Sequence, residues 1–402
     1  MVSEFTSKKP PSSNVVLVKA FFEIRKTMTI LGFLTLIFLV PKITFTSQNR
    51  KQIPSWYDDN TGQLTLRDYL IHPDGFHLAM APAFFGFYAY FGAMMALEEM
   101  GAGILPAETL CDAEAENIDD TCSNNANSNN NLLLKSLAGS SAGAMAAILI
   151  SSGISPRDAA IFASSMKVTD FADPPGIFAA FRGNKFEQIM KGYLMSSATT
   201  NSTIMSKANE PLLLQNGIIP VAVTAFDLRT LKEQILTRGC MAKAARASAT
   251  FPGLFQPVPW SESIHNSNSS DFSILIDGGI TDWLGLNGLQ ALPGKQKRVV
   301  NLIVGCSSNK SVFGSWLLKK SSRFQSTNNR MHSSDSETAP SLVSIFIANT
   351  PPCGPWAMSN GEKAVNAARQ ALTLALDTPM SPGDVEGHYI LTLDASASLR
   401  GR

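Results

Sequence analysis

Ser141 sits in the run Gly139-Ser140-Ser141-Ala142-Gly143, which has the G-x-S-x-G spacing of a nucleophile elbow. A serine hydroxyl is a poor nucleophile until something accepts its proton. Asp277, in the run Ile276-Asp277-Gly278-Gly279, is the candidate acceptor. A free aspartate titrates near about 3.9 and is a weak base at neutral pH, but a dry pocket raises that value. Gly278 and Gly279 would let the carboxylate approach the elbow with no side chain between them. The same Asp-Gly-Gly run also suits an ordinary β-turn. His388 lies downstream of both residues, so the order Ser141, Asp277, His388 equally fits the triad of other α/β-hydrolases. A lone histidine in a Gly-His-Tyr stretch also suits a position that is simply exposed or half-buried.

An elbow needs a strand before the serine and a helix after it. The apolar run from Leu132 to Ala138 reads as a buried strand, and Ala144–Ile150 as a small-residue helix. Gly139 and Gly143 at the two ends of the turn let strand and helix backbones pass without Cβ clashes. Ser141 then projects at the head of a helix, where unbonded N–H groups favour developing negative charge. Further strands are expected at His77–Ala81, Ile218–Phe226, Ile274–Ile276, Arg298–Cys306, Ser341–Asn349 and His388–Leu393. Helices are expected at Phe87–Met100, from a capping box at Ser155–Asp158 to about Met166, within Pro174–Ser197, at Met241–Ser248 and at Glu362–Leu376. Apolar strands alternating with helices predict an α/β domain with a mainly parallel sheet covered on both faces. Ser141 and Asp277 would then both follow carboxyl ends of strands, where ligand crevices open.

The composition narrows the field. With 402 residues, 45% hydrophobic and 16% charged, the chain has room for one large α/β domain with additions. A net charge of +1 offers no footprint for nucleic acid. Five histidines in no ligand-like spacing, and no C-x-x-C pair, argue against a metal site, and nothing implies a cofactor. Cys111 and Cys122 flank part of an Asn-rich stretch and are candidates for a bridge in an oxidising compartment. Residues 1–47 comprise a polar tail and a basic-then-apolar segment whose core, Met28–Val40, resembles a signal sequence or signal anchor. Either would place the protein at a membrane or in the secretory pathway, while the same run also suits a buried or interfacial helix; Asn201, Asn268 and Asn309 begin glycosylation sequons. Residues 48–75 read as a linker and 76–402 as the folded domain, with a low-complexity insert at 111–131 and a mobile loop at 315–340.

Four stretches taken together resemble the patatin-like phospholipases and acyl hydrolases: GSSAG around Ser141, PVAVTAFDLRT (Pro220–Thr230), ARASATFPGLFQPV (Ala245–Val258) and IDGG (Ile276–Gly279). The match runs from about Leu78 to Leu289. The resemblance implies a three-layer patatin-like fold and a catalytic dyad without histidine, with Ser141 as nucleophile and Asp277 as base. It also implies that Ala245–Val258 packs beside the site and helps line an acyl pocket. The implied reaction is hydrolysis of a fatty-acyl ester of membrane or storage lipid through an acyl-enzyme, at a membrane surface.

One departure stands out. The family's oxyanion loop reads G-G-G-x-R/K-G, whereas the corresponding residues here are Ala81, Pro82, Ala83, Phe84, Phe85 and Gly86. Proline has no N–H to give, so Ala83, Phe84 and Gly86 are the candidate donors. Losing one such donor typically costs about a hundredfold or more in turnover. A lipid-binding relative with little activity is therefore the other expectation, beside the Ser141-Asp277-His388 triad. Phe84, Phe85, Phe87, Tyr88, Tyr90 and Phe91 form an aromatic cluster, of which one or two could face a lipid chain.

Overall fold

A computed structural model describes residues 64–105, 133–177, 179–200, 212–261, 272–305, 313–331, 341–354 and 357–396. The N-terminal segment, the 111–131 insert with Cys111 and Cys122, and the three sequon asparagines lie outside the described residues. Among the described residues, no helix is long and apolar enough to cross a membrane.

In chain order the strands and the α-helices of five residues or more are α1 (Leu66–Leu70), β1 (Phe76–Met80), α2 (Phe87–Glu99), β2 (Leu134–Ser140), α3 (Ala142–Ser151), α4 (Pro156–Ser165), α5 (Asn184–Thr200), β3 (Val221–Asp227) and β4 (Lys232–Leu236). There follow α6 (Met241–Ser248), β5 (Val258–Trp260), β6 (Ser273–Asp277), β7 (Arg298–Val304), α7 (Phe313–Met331), β8 (Ser341–Ala348), α8 (Gly361–Ala375), β9 (Ser381–Pro382) and β10 (His388–Asp394). Strands β3, β2, β1, β7, β8 and β10 run parallel, each paired with the next. Their side chains alternate between two cores. Leu78, Met80, Leu137, Val223 and Leu302 belong to the larger core, with α2, α3 and α6. Ala79, Ala81, Ala138, Ala222 and Ile303 belong to a smaller core on the other face, with Leu284–Leu292 and Leu317 of α7. This is the expected three-layer arrangement. All ten residues of α3 are buried, so its sequence is apolar or small all round.

The sheet departs from expectation around β3. Ile274–Ile276 is part of a strand, but β6 runs antiparallel, with Ala225 opposite Asp277. β4, which the sequence pattern does not announce, also pairs antiparallel with β3, from Val223 to Asp227. A strand has two edges. β4 occupies one, so β2 and β6 share the other: β2 up to Ser140 opposite Thr224, and β6 from Ala225 onward. The two strands therefore meet end to end along β3.

Two segments expected to be irregular are ordered. Residues 66–70, assigned to the linker, form α1, capped reciprocally by Thr65 and Asp68. Leu66, Tyr69 and Leu70 are buried, and the Tyr69 hydroxyl donates to the Ser341 carbonyl at 3.0 Å. Most of the expected mobile loop is α7. Its buried stripe is Leu317, Ser321 and Gln325, at helical spacing, and the polarity of that stripe concealed the helix. The Ser321 and Ser322 hydroxyls donate back to the carbonyls of Leu317 and Leu318, which satisfies them inside the fold. Within Pro174–Ser197, the helix begins only at Asn184, where the Asp173 carboxylate accepts the backbone N–H groups of Gly183, Asn184 and Lys185.

Leu70→Ala should cost about 2–5 kcal/mol, as for any core leucine truncated to alanine. Urea unfolding reads it, and a residue in a linker would show no change.

Candidate active site

The register of the sheet brings the two chemical residues together. Ser140 is opposite Thr224, so Ser141 comes level with Ala225, and Ala225 is opposite Asp277. The Ser141 hydroxyl donates to Asp277 Oδ2 at 2.7 Å. The other carboxylate oxygen, Oδ1, accepts the Gly279 N–H at 2.7 Å. Both residues are buried.

The elbow is strained as its motif requires. Ser141 has φ +53° and ψ −119°, a conformation that L-residues other than glycine rarely adopt. The flanking glycines are required by contact: a Cβ on Gly139 would strike the backbone of Gly143, and one on Gly143 would strike the carbonyl of Met80. The Ser141 N–H donates to the Ser248 hydroxyl at 2.9 Å, which in turn donates to the Thr224 carbonyl at 2.6 Å. Ser248 thus fixes the elbow to β3. The sequence placed the Ala245–Val258 stretch beside the site but did not single out Ser248. On the other side, the Asp277 N–H donates to the Thr250 carbonyl at 2.9 Å. Asp282 is a further residue that sequence reasoning missed. It is buried, accepts from the Thr224 hydroxyl and the N–H groups of Leu286 and Asn287, and so braces the loop that follows Asp277. Burial, with Glu233 nearby, pushes its carboxyl up to about 7.

Burial also acts on Asp277, whose carboxyl is pushed up to about 6 against the lowering effect of the Ser141 and Gly279 hydrogen bonds. The dry-pocket effect anticipated from the sequence is therefore present. The pair opens on about 590 Å³ of space continuous with solvent, and among the described residues lining it Ser141 and Asp277 are the two polar ones. The remaining lining is Phe, Met, Leu and Ala, with Ala249, Phe251, Leu254 and Phe255 coming from the Ala245–Val258 stretch.

The candidate oxyanion residues divide. Phe84 lines the pocket, while Ala83 and Gly86 lie outside its lining. The Gly86 N–H donates to the Ala83 carbonyl at 2.7 Å, so it is already committed. Phe84 has φ +50° and stacks edge-on to Phe251, with ring centres 5.4 Å apart. Ala142 also lines the pocket. With Gly143 it opens α3, whose first N–H groups have no earlier carbonyl in the helix to bond.

His388 does not join the pair. It begins β10, opposite Leu342 at the amino end of β8, whereas Ser141 follows the carboxyl end of β2. Its Nδ1 and Nε2 face the hydroxyls of Ser322 and Ser344, each at 3.0 Å, and burial pushes its pKa down to about 4. The triad order is thus a coincidence of sequence. Among the described residues, no group of His, Cys, Asp and Glu is arranged to hold a metal.

A mostly parallel sheet between helical layers, carrying an elbow serine hydrogen-bonded to an aspartate, defines an α/β protein of the patatin-like class. Residues 120–288 match the family model described as patatin-like phospholipase. No curated protein matches significantly. Among solved structures, VipD from Legionella pneumophila is 13% identical with a TM-score of 0.44, covering 76% of this chain and 67% of that one. ExoU of Pseudomonas aeruginosa, solved with SpcU, is 14% identical with a TM-score of 0.40, covering 76% of this chain and 53% of that one. This chain thus spans about half the length of ExoU.

The raised Asp277 value has a consequence for stability. A carboxyl whose folded value lies above its unfolded one favours the fold at low pH and loses that contribution as pH rises through the folded value. The stability of the wild type relative to Asp277→Asn should therefore fall between pH about 4 and about 6, by on the order of 3 kcal/mol, since one unit is about 1.4 kcal/mol. Urea unfolding across that pH range measures it.

Proposed function

We propose that the protein is a serine acyl hydrolase acting on fatty-acyl esters of lipids through a Ser141–Asp277 dyad. The observation that carries this reading is the 2.7 Å hydrogen bond from Ser141 Oγ to Asp277 Oδ2 in the lining of an otherwise apolar pocket. The acyl chain lies among the Phe and Met side chains, which demand no hydrogen bond from it. Ser141 Oγ attacks the ester carbonyl while its proton passes to Asp277 Oδ2. The C–O bond to the alcohol then breaks, and the alcohol leaves with that proton. Asp277 next takes a proton from a water, which attacks the acyl carbonyl; the bond to Ser141 Oγ breaks, Asp277 returns the proton to Oγ, and the fatty acid leaves.

The tetrahedral oxyanion needs donors. The N–H groups of Ala142 and Gly143 at the head of α3 supply them on one side, and the N–H of Phe84 or Ala83 on the other. The Ser141 N–H takes no part, because it is bonded to Ser248. The commitment of Gly86 and the lack of glycine at Ala81–Ala83 favour a second reading, a lipid-binding protein with slow turnover. The membrane association attributed to residues 1–47 and the linker and domain boundaries are part of the same proposal, with the folded domain now starting at α1.

A fluorophosphonate should label the wild type and fail on Ser141→Ala. Asp277→Asn should lower kcat by about a thousandfold or more, a loss in the range typical of a dyad or triad member, while His388→Ala should retain turnover. Because the base must be ionised, kcat/KM should rise with pH and level off above about 6. Labelling that survives Ser141→Ala would end the proposal. Bound fatty-acyl ester without release of product would favour the second reading, and glycines at Ala81 and Ala83 should then raise turnover.

A further inference from the structure

The turn between β3 and β4 exposes large apolar side chains where a turn has no structural use for them. Leu231 is 70% exposed and stands at φ +53°, a conformation that turns ordinarily give to Gly, Asn or Asp. Leu228 is 40% exposed, and Phe272, which enters β6 beside this turn, is 47% exposed. Leu228 and Phe272 are tied to each other's strands: the Leu228 N–H donates to the Ile274 carbonyl at 2.8 Å, and the Arg229 guanidinium donates to the Phe272 carbonyl and lies 4.3 Å from its ring centre. An exposed leucine on left-handed backbone is unfavourable twice, in strain and in hydration. Folding alone gives no reason for it.

The tip is rigid. The buried Asp227 carboxylate accepts from the N–H of Arg229 at 3.0 Å, the Thr230 hydroxyl at 2.9 Å and the N–H of Ile274 at 3.0 Å. It is also basic. Arg229 and Lys232 are exposed, while Asp227 is buried in these bonds and the half-buried Glu233 carboxylate is held by the Asn287 amide. Its position bears on the site. Ala225 is level with the Ser141–Asp277 pair, and Leu228 lies three residues further along the chain, just past the end of β3, roughly 10 Å at 3.3 Å per residue, towards the carboxyl end from which Ser141 projects.

We propose that this tip, Leu228, Leu231 and Phe272 with Arg229 and Lys232, is a membrane-docking element that inserts its apolar side chains into an anionic lipid surface. Its purpose rests on the hydrolase reading above, since it would hold the pocket at the surface that contains the ester. Three side chains are too few for a stable protein interface, which takes about 800 Å² from each partner. They suffice for shallow insertion, with the basic residues meeting lipid phosphates. The braced turn has little conformational freedom left to lose on docking.

The test is vesicle binding by the full chain, with hydrogen exchange read at the tip. Phosphatidylcholine–phosphatidylserine vesicles should slow exchange at the amides of Leu228–Lys232. The double variant Leu231→Ser/Phe272→Ser should partition at least about tenfold more weakly, since burying one such side chain is worth that much. An unchanged melting temperature would show that the variant is folded. Leu231→Met, which keeps an apolar side chain, should bind like the wild type. Unchanged exchange at the tip while the protein sits on vesicles would overturn the proposal, as would equal partitioning of the double variant. So would slowed exchange that appears without vesicles as protein concentration rises, the sign of a second copy. Binding is read without turnover, so an inert wild type would sink the hydrolase reading and leave this one standing.

Discussion

Everything about the site depends on one balance, the ionisation of a single buried carboxylate. Burial penalises the charge on Asp277, and two donors, the Ser141 hydroxyl and the Gly279 N–H, return part of what is lost. With less burial the group would be an ordinary weak base. With fewer donors its carboxyl would be pushed higher still, and it would be a poorer acceptor at low pH. Among the described residues lining the pocket there is no third polar side chain to disturb the balance, so the apolar lining that suits an acyl chain also sets the strength of the proposed base.

The geometry that maintains this balance comes from the sheet. β3 carries β2 and β6 end to end on one edge, and the shared neighbour Ala225 fixes the level at which their ends meet. Ser248, the last residue of α6, and Thr250 just beyond it then attach one N–H on each side of the meeting point. The contacts of Gly139 and Gly143 leave the elbow no room to move away. Each half of the pair is thereby fixed by backbone hydrogen bonds as well as by its own side chain.

Much of this was legible in the sequence. The G-x-S-x-G turn, the apolar run before it and the small-residue run after it fix a strand, an elbow and a buried helix, because sterics allow few alternatives. Asp277 was legible as a partner through its two glycines. The direction of β6 was not, since a short apolar strand reads the same whether its neighbour runs with it or against it. α7 was hidden because its buried face carries glutamine and serines, the serine hydroxyls bonded back to the helix's own carbonyls. α1 was hidden because five residues are too few to show a period. His388 misled for the opposite reason: chain order carries no information about which end of the sheet a residue occupies.

The hydrogen bond between Ser141 and Asp277 closes 136 residues of chain. Contacts so distant along the chain form late in folding, because the entropy of the intervening loop must first be overcome by other pairings. During synthesis, an emerging chain presents its serine well before β6 exists to accept the proton. The proposed nucleophile is therefore inert until the sheet has been assembled around β3. The proposed reactivity towards a lipid ester would then be a property of the finished fold, absent from a nascent or misassembled chain.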